Sequence, residues 1–460
     1  MKPAAYQSYK PANSNWLQEI PSTWEQIRGR FIMGVNPSPE RLRDLDETDE
    51  VSFVPMEAVG EYGGLNLERS KSLDEIGSGY TEFENGDVVV AKITPCFENC
   101  KGALADGLLN GVAFGTTELH VLRAGKRLDS RFLFYLTVSH AFRKLGESEM
   151  YGAGGQKRVP PEFAKNFRVP LPPLEEQQAI ARFLDAKTAQ IDTLVAKKRQ
   201  LIAKLKEKRS ALIARTATRG LPPEAAKAAG LEPNPEMKDS GIPWIGSIPS
   251  GWKVKRLKHI SDRVTVGVVV NPSSYVAEEG VPFLLGGDVR EFKIDISNCN
   301  RCSDEASRGP LAKSRLVAGD LVVVRVGYPG IAAVVPSEIE GANCASMMIV
   351  GRNDRFNSQW LAYAINAKSG RDQVELVQYG AAQKQFNISH AVDFSFPFPP
   401  IKEQLAIADY LDHECARLDR LTKEVETAIA RLTEYRQALI TSAVTGKIDV
   451  RNNACLREIA

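Results

Sequence analysis

The sequence predicts an α/β (α+β) protein with two similar domains, each of mixed sheet plus helices, separated by two long antiparallel coiled-coil helices. Three observations lead to this prediction. A sixteen-residue phrase occurs in two similar copies. Short apolar runs bounded by Gly, Pro and Asn precede each copy, and a heptad pattern follows each copy. We therefore expect an internal duplication with pseudo-two-fold symmetry.

The repeated phrase is PLPPLEEQQAIARFLD at 170–185 and PFPPIKEQLAIADYLD at 397–412, 227 positions further on. So long a period indicates a duplicated domain, because solenoid repeats run roughly 20 to 50 residues. Flanking phrases repeat as well, including YGAGGQK and YGAAQK. The predicted segments are a first domain at 1–171, a central helix at 172–218, a linker at 219–243, a second domain at 244–398, a distal helix at 399–446 and a tail at 447–460.

Each domain contains short apolar runs typical of strands. DVVVAKI and TELHVL in the first domain, and DLVVVRV and SMMIVG in the second, are bounded by turn-forming residues. SRFLFYLTVSHAFRKL and SQWLAYAINAKSGRDQVELV carry apolar residues at helical spacing. The sequence thus predicts one or more helices beside a substantial sheet in each domain.

A pair of prolines marks the start of each long helix, because the residue before proline is biased to extended geometry. A 4-3 apolar spacing follows both pairs, which indicates a coiled-coil seam. The apolar seam of a single helix would be exposed to water, so we expect the two helices to pack against each other in antiparallel orientation. Lys187, Lys198, Lys208 and Glu414 interrupt the pattern. The predicted seam is Ile180, Leu184, Ile191, Leu194, Leu201, Leu205, Leu212, Ile407, Leu411, Leu418, Leu421, Val425, Ala428, Leu432, Tyr435 and Leu439.

Composition sets mild bounds on the class of protein. The chain has 460 residues, 43% hydrophobic and 25% charged, with a net charge of +2. It has no apolar run of about 18 residues, as a membrane helix requires, and no apolar core of signal-peptide length near its start. Seven cysteines without such a signal fit a reducing compartment. We expect a cytoplasmic protein.

Several phrases resemble the specificity subunit of type I restriction–modification enzymes. Four phrases carry this resemblance: the two copies of the repeated phrase at 170–185 and 397–412, and also MKDSGIPWIGSIPSGW and YRQALITSAVTGKIDV. TPCFENCKGAL at 94–104 is also similar to a segment common in that family's recognition domains, although Cys100 stands where the family more commonly has glycine. The resemblance covers essentially the whole chain, in the family's order of domain, helix, domain, helix.

The resemblance implies a DNA-recognition subunit without catalytic activity. Each target recognition domain would read one half of a bipartite, asymmetric target in double-stranded DNA. The helices would fix the half-site separation and dock two methyltransferase subunits, and motor–nuclease subunits would join the complex, which directs adenine methylation or restriction. S-adenosylmethionine, ATP and Mg²⁺ would be bound by the partner subunits, and the target adenine would be flipped into the methyltransferase.

The first candidates for DNA contact are the Gln-Lys pairs at 156–157 and 383–384, which recur after Gly-containing loops. Gln pairs bidentately with adenine, and Lys serves guanine or phosphate. Other candidates are cations just beyond apolar strands, and loop residues beside them. A solvated loop or a plain surface charge remains open for each. The full set is Lys92, Thr94, Lys101, Gln156, Lys157, Arg158, Arg325, Tyr328, Gln383 and Lys384.

The basic run at 197–215 admits three interpretations: contact with a phosphate backbone, contact with an acidic partner, or the solvated side of a helix. The equivalent stretch of the second helix is mixed in charge, which weakens the idea that both helices contact DNA in the same way. GAGGQKR lacks the phosphate-loop pattern, since its lysine follows Gln156 and precedes Arg158. Nucleotide binding is therefore not expected.

Two other kinds of site receive little support. Cys96 and Cys100, like Cys299 and Cys302, lack a second pair or histidines nearby, as zinc would require. Asp288 with Glu291-Phe-Lys293 superficially resembles a metal-dependent nuclease motif, but its acids are only three residues apart. The main alternative to DNA recognition is a coiled-coil adaptor that binds proteins and reads no DNA.

Overall fold

The computed structural model describes residues 4–153, 155–269, 271–380 and 384–451. The chain divides into two compact units, Met1–Arg199 with Thr427–Ala460, and Gln200–Glu426. Each unit contains one domain of the duplication, hereafter a head, with the adjoining parts of both long helices. Within the described ranges, no helix combines the length and apolar character needed to cross a membrane.

The first head is a set of small sheets with helices packed beside them. Its strands are β1 (Tyr9–Pro11), β2 (Glu19–Pro21), β3 (Glu25–Arg28), β4 (Met33–Val35), β5 (Glu50–Val54), β6 (Ser70–Ser72), β7 (Thr81–Glu84), β8 (Asp87–Ala91), β9 (Gly102–Leu104), β10 (Val112–Gly115), β11 (Leu119–Ala124) and β12 (Arg168–Leu171). Its helices are α1 (Ser130–Thr137), α2 (His140–Ser148) and α3 (Pro161–Asn166), followed by the long α4 (Leu174–Arg219).

Two four-stranded sheets form the centre of this head. One has the order β4-β11-β8-β9, and the other β6-β5-β10-β7, in which β10 and β5 are parallel. Every residue of β8 is buried, as expected of an apolar run covered on both faces. The predicted strands DVVVAKI and TELHVL are confirmed as β8 and β11. The predicted helical run is divided into α1 and α2 because Ser139 caps α2, its side chain accepting from Phe142 N.

The second head repeats this order of elements with some differences. Its strands are β13 (Met237–Asp239), β14 (Ser247–Pro249), β15 (Lys253–Arg256), β16 (Val264–Val266), β17 (Val281–Leu284), β18 (Val289–Arg290), β19 (Lys293–Ile294), β20 (Asn300–Cys302), β21 (Leu321–Val324), β22 (Ala332–Val334), β23 (Asn343–Cys344), β24 (Met347–Val350) and β25 (Ser395–Phe398). Its helices are α5 (Pro223–Ala228), α6 (Asp304–Arg308), α7 (Ser358–Asn366), α8 (Lys368–Val377) and α9 (Ile388–Ala391), followed by the long α10 (Ile401–Val444).

The sheet β16-β24-β21-β22 of the second head corresponds to β4-β11-β8-β9 of the first. Its strand β21 is fully buried, like β8. The predicted linker at 219–243 is not a plain connection, because it contains α5 and β13. Strand β13 pairs antiparallel with β14, as β1 pairs with β2. The second head therefore begins before residue 244, where the sequence had placed its start.

The long helices begin within two residues of their predicted starts. In the first unit, Ile191 of α4 belongs to the same buried cluster as Leu439 of α10. In the second unit, Ile213 of α4 shares a buried cluster with Leu411 of α10. The first part of one helix thus packs with the last part of the other in each unit, so the pairing is antiparallel as predicted.

The seam of these helices differs from the predicted one in phase. Leu194, Leu201, Leu421 and Tyr435 are exposed, so their assignment to the seam is wrong. The remaining predicted seam residues are buried or half-buried. The stripe observed on α4 is Leu184, Thr188, Ile191, Val195, Lys198, Ile202, Leu205, Arg209, Leu212 and Thr216; on α10 it is Leu411, Cys415, Leu418, Thr422, Val425, Ile429, Leu432, Arg436, Leu439 and Ala443.

The phase error has a physical cause. A 4-3 pattern contains two alternating sets of positions, and the predicted and observed seams share one of them. In the other set, the wrongly assigned members Leu194, Leu201, Leu421 and Tyr435 each stand one residue before the member that the structure buries or half-buries, which is Val195, Ile202, Thr422 or Arg436. The polar members observed in this set, such as Thr188, Thr422 and Arg436, bond to neighbouring groups.

The repeated phrase supplies the joint between each head and its helix. In the first unit, Glu176 Oε1 accepts from Trp24 Nε1 at 3.0 Å and from Tyr6 Oη at 2.7 Å. Gln177 Oε1 accepts from Asp129 N at 2.8 Å, and its Nε2 donates to Pro172 O at 2.8 Å. The Glu-Gln dipeptide therefore fixes the first turn of α4 to the head.

The second unit contains the same joint. Trp252 Nε1 donates to Glu403 Oε2 at 2.6 Å. Gln404 Oε1 accepts from Asn357 N at 2.8 Å, and its Nε2 donates to Pro399 O at 2.8 Å. These contacts give a structural reason for the repetition of the phrase and for the matching places of Trp24 and Trp252 in the two units.

Candidate nucleic-acid interface

In the first head, a loop at 151–158 is held against the segment that leaves β8. Arg158 forms backbone bridges with Tyr151 and with Ile93. Thr94 N donates to Lys157 O at 2.9 Å, and Val159 N donates to Lys92 O at 2.9 Å. The Gln156-Lys157 pair is thereby fixed beside the end of a buried strand, where binding residues are commonly displayed.

One glycine is required for the shape of this loop. Gly152 has φ of 134°, and a Cβ there would lie 2.6 Å from Gln156 O. Both the backbone conformation and the lack of space exclude larger residues. The glycine thus allows the chain to turn closely under Gln156. Gly154 lies outside the described residues.

The second head holds its corresponding loop by the same backbone bonds. Gln385 forms bridges with Tyr379 and with Val326. Gly327 N donates to Lys384 O at 3.0 Å, as Thr94 N does to Lys157 O in the first head. Gln383, the partner of Lys384 in the predicted pair, lies outside the described residues. We call the loops at 151–158 and 379–385, each with the segment after the central strand, the recognition loops.

Several side chains of the recognition loops are open to solvent. Gln156 and Lys157 are exposed in the first head, and Lys384 is exposed in the second. Tyr328, just after Gly327, is 77% exposed. An exposed lysine at the same backbone position in both heads offers a donor to phosphate or to a guanine edge.

Sequence reasoning missed two residues that belong to this surface. Tyr151 and Tyr379 are both exposed and open the two recognition loops. Tyr379 Oη donates to Asn387 Oδ1 at 2.9 Å, which orients its ring. Both tyrosines begin the repeated phrases YGAGGQK and YGAAQK, so the signal was present in the sequence.

The charge of Arg158 is already paired within the head. Its guanidinium forms a two-pronged contact with Glu118, with Nη2–Oε1 of 2.7 Å and Nε–Oε2 of 2.9 Å. This contact lowers the pKa of the Glu118 carboxyl, so the pair stays ionised near neutral pH. The expectation that Arg158 adds free charge for phosphate therefore needs correction, since that charge is largely compensated.

Thr94 and Lys101 hold the recognition loop from inside. Thr94 Oγ1 donates to Lys157 O at 3.2 Å, and Lys101 Nζ donates to Met56 O at 3.0 Å. Both residues are half-buried, as is Lys92. Their contacts give Thr94 and Lys101 a role in shaping the loop that Gln156 and Lys157 extend.

Arg325 was expected to face solvent beyond β21, and this expectation is wrong. The residue is only 8% exposed, and its Nε donates to Phe386 O at 2.9 Å. The bond joins the end of β21 to the segment that follows the second recognition loop. Arg325 therefore stabilises the loop from beneath instead of presenting a cation.

His120 is a buried structural residue of β11. Its Nε2 donates to Val159 O at 2.8 Å, and its Nδ1 accepts from Asn36 Nδ2 at 3.4 Å. Burial lowers the pKa of the ring, which favours the neutral form. Among the described residues, there is no group of three or more His, Cys, Asp or Glu side chains that could hold a metal ion.

The chain matches the family model "Type I restriction modification DNA specificity domain" over residues 77–204, which include the first recognition loop and the start of α4. It is 43% identical over 164 residues to the type I restriction enzyme EcoAI specificity subunit of Escherichia coli, and 41% identical over 164 residues to the EcoEI specificity subunit. Each match covers 35% of this chain and 27% of the relative's length. The MjaVIII specificity subunit of Methanocaldococcus jannaschii matches over 97% of this chain and 98% of its own, at 24% identity.

Two solved structures share the fold. The first comes from work on complex assembly and conformational transition of the type I R-M system; it has a TM-score of 0.73 at 20% identity and covers 93% of this chain and 99% of that chain. The second is the HsdS subunit from Thermoanaerobacter tengcongensis, with a TM-score of 0.54 at 18% identity, covering 93% of this chain and 98% of that chain. The chain is therefore similar to type I restriction enzyme specificity subunits in sequence and in fold, and its matches to the EcoAI and EcoEI subunits span 27% of their length.

Proposed function

We propose that the chain recognises DNA for a type I restriction–modification complex, each head reading one half of a bipartite, asymmetric target. One observation carries this proposal most directly. Both heads hold an exposed lysine by the same backbone hydrogen bond, from Thr94 N to Lys157 O and from Gly327 N to Lys384 O. A protein that recognises two different half-sites needs the same backbone geometry in both heads but different side chains around it.

The chemistry of the two loops favours different readings. The first loop offers Gln156, whose amide suits adenine, beside a lysine that suits guanine or phosphate. The second loop also has a tyrosine and a Gln-Lys pair in its sequence, and it adds the exposed Tyr328, whose ring and hydroxyl suit phosphate and base-edge contacts. In both heads, contacts to phosphate fix the register of the protein, while contacts to base edges supply the specificity.

The partners and cofactors follow from the same proposal. The chain is non-catalytic; its helices dock two methyltransferase subunits, and motor–nuclease subunits join through the complex in the cytoplasm. S-adenosylmethionine, ATP and Mg²⁺ belong to those partners. The repeat of both long helices at a spacing of 227 supports two equivalent docking surfaces, and the exposed leucines Leu194 of α4 and Leu421 of α10 occupy matching positions in that repeat.

Single-molecule sequencing of adenine methylation tests the function. A host expresses the partner methyltransferase with this chain, and a matched strain lacks this chain. We expect a split motif that disappears with the chain and that gives both half-sites and their gap. Unchanged methylation by an active methyltransferase would contradict DNA recognition and favour the protein-adaptor alternative.

A further inference from the structure

An arginine of α10 contacts both the other long helix and the first head. Arg436 is 7% exposed, and its Nε lies 3.2 Å from Asp192 Oδ1 on α4. Its guanidinium lies 4.6 Å from the centre of the Tyr62 ring. Its Nη1 has no hydrogen-bond acceptor among the described residues, so the face of the ring is the attractive surface available to it.

The second unit contains the same arrangement with the two helices exchanged. Arg209 belongs to α4, and its Nε lies 3.1 Å from Asp419 Oδ1 on α10. Its guanidinium lies 5.4 Å from the centre of the Phe292 ring in the second head. Arg209 and Arg436 are 227 positions apart, as are Asp192 and Asp419. We call these two sets the arginine clasps.

Both aromatic residues of the clasps have an uncommon backbone conformation. Tyr62 has φ of 58° and Phe292 has φ of 63°. Bulky residues seldom adopt this left-handed region, because the Cβ approaches the carbonyl oxygen. The surrounding structure therefore holds each aromatic side chain in a particular direction, towards its arginine.

Each clasp is connected to the recognition loop of its own head. In the first unit, Tyr62 N donates to Cys100 O at 3.0 Å, and Glu61 forms a backbone bridge with Lys101. The segment that ends at Lys101 begins at Thr94, which binds Lys157 O. The contacts thus run without interruption from the helix pair to the exposed Lys157.

The second unit reaches its recognition loop by a different set of contacts. Arg209 Nη1 lies 3.5 Å from Glu291 Oε2, and Arg371 Nη2 lies 3.0 Å from Glu291 Oε1. Arg371 Nη1 in turn donates to Pro329 O at 3.2 Å, next to Tyr328. Two different routes from equivalent clasps end at equivalent loops.

The clasps are poorly explained as stabilising contacts alone. Each arginine occupies a seam position that a leucine or methionine would fill without the loss of hydration that a buried charge suffers. Since the side chains of Asp192 and Asp419 are 59% and 60% exposed, water screens both ion pairs, and each pair adds little to stability. The direction and distance of the head relative to its helices are the quantities that such a contact defines.

We propose that Arg436 and Arg209 are positioning residues, which fix each recognition loop relative to the helix pair and so set the half-site gap that the complex accepts. This inference rests on the proposed function. One base pair changes the position along DNA by about 3.4 Å and the direction by about 35°. A head released from its clasp tolerates such a change, while its recognition loop still reads the same bases.

The test measures methylation by the complete complex on duplexes that carry the target with its natural gap, or with a gap one base pair shorter or longer. Arg436→Met keeps the length and apolar packing of the side chain but removes the charge. For the complex with this variant, we expect the ratio of methylation on the natural gap to methylation on the altered gaps to fall by about tenfold. Displacement of a positioned group by about an ångström produces effects of this size or larger. The bases read in both half-sites stay unchanged. Arg431→Met, on the exposed side of the same helix, is the matched control and keeps the wild-type preference.

Further variants separate positioning from folding. Tyr62→Leu leaves the ion pair in place and is expected to relax the gap in the same way. Arg436→Asp combined with Asp192→Arg is expected to restore part of the preference lost in Arg436→Asp, which general destabilisation would not do. If both Arg436→Met and Tyr62→Leu keep the wild-type gap preference, the positioning role of the clasps is contradicted, while the proposed function is unaffected. A wild-type complex that methylates no split motif overturns the proposed function, and this inference with it.

Discussion

Lys157 and Lys384 are held by equivalent backbone hydrogen bonds, but the side chains next to them differ. Their carbonyls accept from Thr94 N and Gly327 N, and their side chains extend into solvent. A side chain on so fixed a backbone can be exchanged without moving the loop. Variation in recognition is therefore compatible with a constant scaffold at the scale of single residues.

The contacts of His120 predict a pH-dependent stability. Its folded-state pKa is lowered by burial, so the unfolded chain binds more protons below the unfolded value of about 6.5. Stability is therefore present above that pH and is lost as the pH falls, by at most about 1.4 kcal/mol per pH unit. Urea unfolding of the wild type and of His120→Gln at pH 7.5 and 5.5 measures this. We expect the smaller acid-induced loss in the variant; equal losses would contradict the assignment.

The sequence identified the exposed lysines because the phrase around them is repeated. It did not reveal that Arg325 is buried or that Arg158 is paired. Those outcomes depend on Phe386 and Glu118, which lie 61 and 40 positions away in the chain. Local pattern gives residue type and loop position, whereas the neighbours of a charge are set by tertiary packing.

At the scale of elements, the head–helix joint rests on a buried carboxylate. Glu176 is the acceptor for both Tyr6 Oη and Trp24 Nε1. Glu176→Ala leaves two buried donors unpaired, and we expect a loss of about 2–4 kcal/mol in the free energy of unfolding. Denaturant unfolding with tryptophan fluorescence measures this loss. Glu175→Ala is the control, since Glu175 is exposed in the same turn, and a similar loss in both variants would contradict the joint.

The phase of the seam gives a second prediction for these helices. Ile202 lies on the observed stripe and is half-buried, whereas Leu201 is exposed. We expect Ile202→Ala to lower the free energy of unfolding by about 1–2 kcal/mol, because it leaves a gap in a packed contact, and Leu201→Ala by less than about 0.5 kcal/mol. Thermal or urea unfolding of the full chain compares them. The reverse order would restore the seam predicted from the sequence.

The extent of both long helices was predictable, because their prolines and heptads are local signals. The phase of the seam was not, since it depends on what each side chain meets. Arg209 is tolerated on the seam because Asp419 faces it. Thr188 is tolerated because its hydroxyl lies 3.3 Å from Tyr135 Oη.

For the whole molecule, the duplication explains more than the repeated phrases. Each unit combines a head, a Glu-Gln joint, an arginine clasp and a recognition loop held by equivalent backbone bonds. The duplication was readable from sequence at a spacing of 227, but the clasps were not. Their aromatic residues, Tyr62 and Phe292, lie in loops, and no sequence pattern predicts the left-handed backbone conformation that both adopt.

The assignment of one head to each half-site is tested most directly by sequencing adenine methylation in hosts that express the partner methyltransferase with the Lys157→Ala or the Lys384→Ala variant of this chain. Lys126→Ala and Lys313→Ala are the controls, because these exposed lysines lie at the opposite ends of the central sheets. We predict that each recognition-loop variant relaxes one half of the split motif, a different half for each, while the controls change neither. If both variants alter the same half, or if neither alters a motif that the wild type reads, then the assignment of one head to each half-site is contradicted.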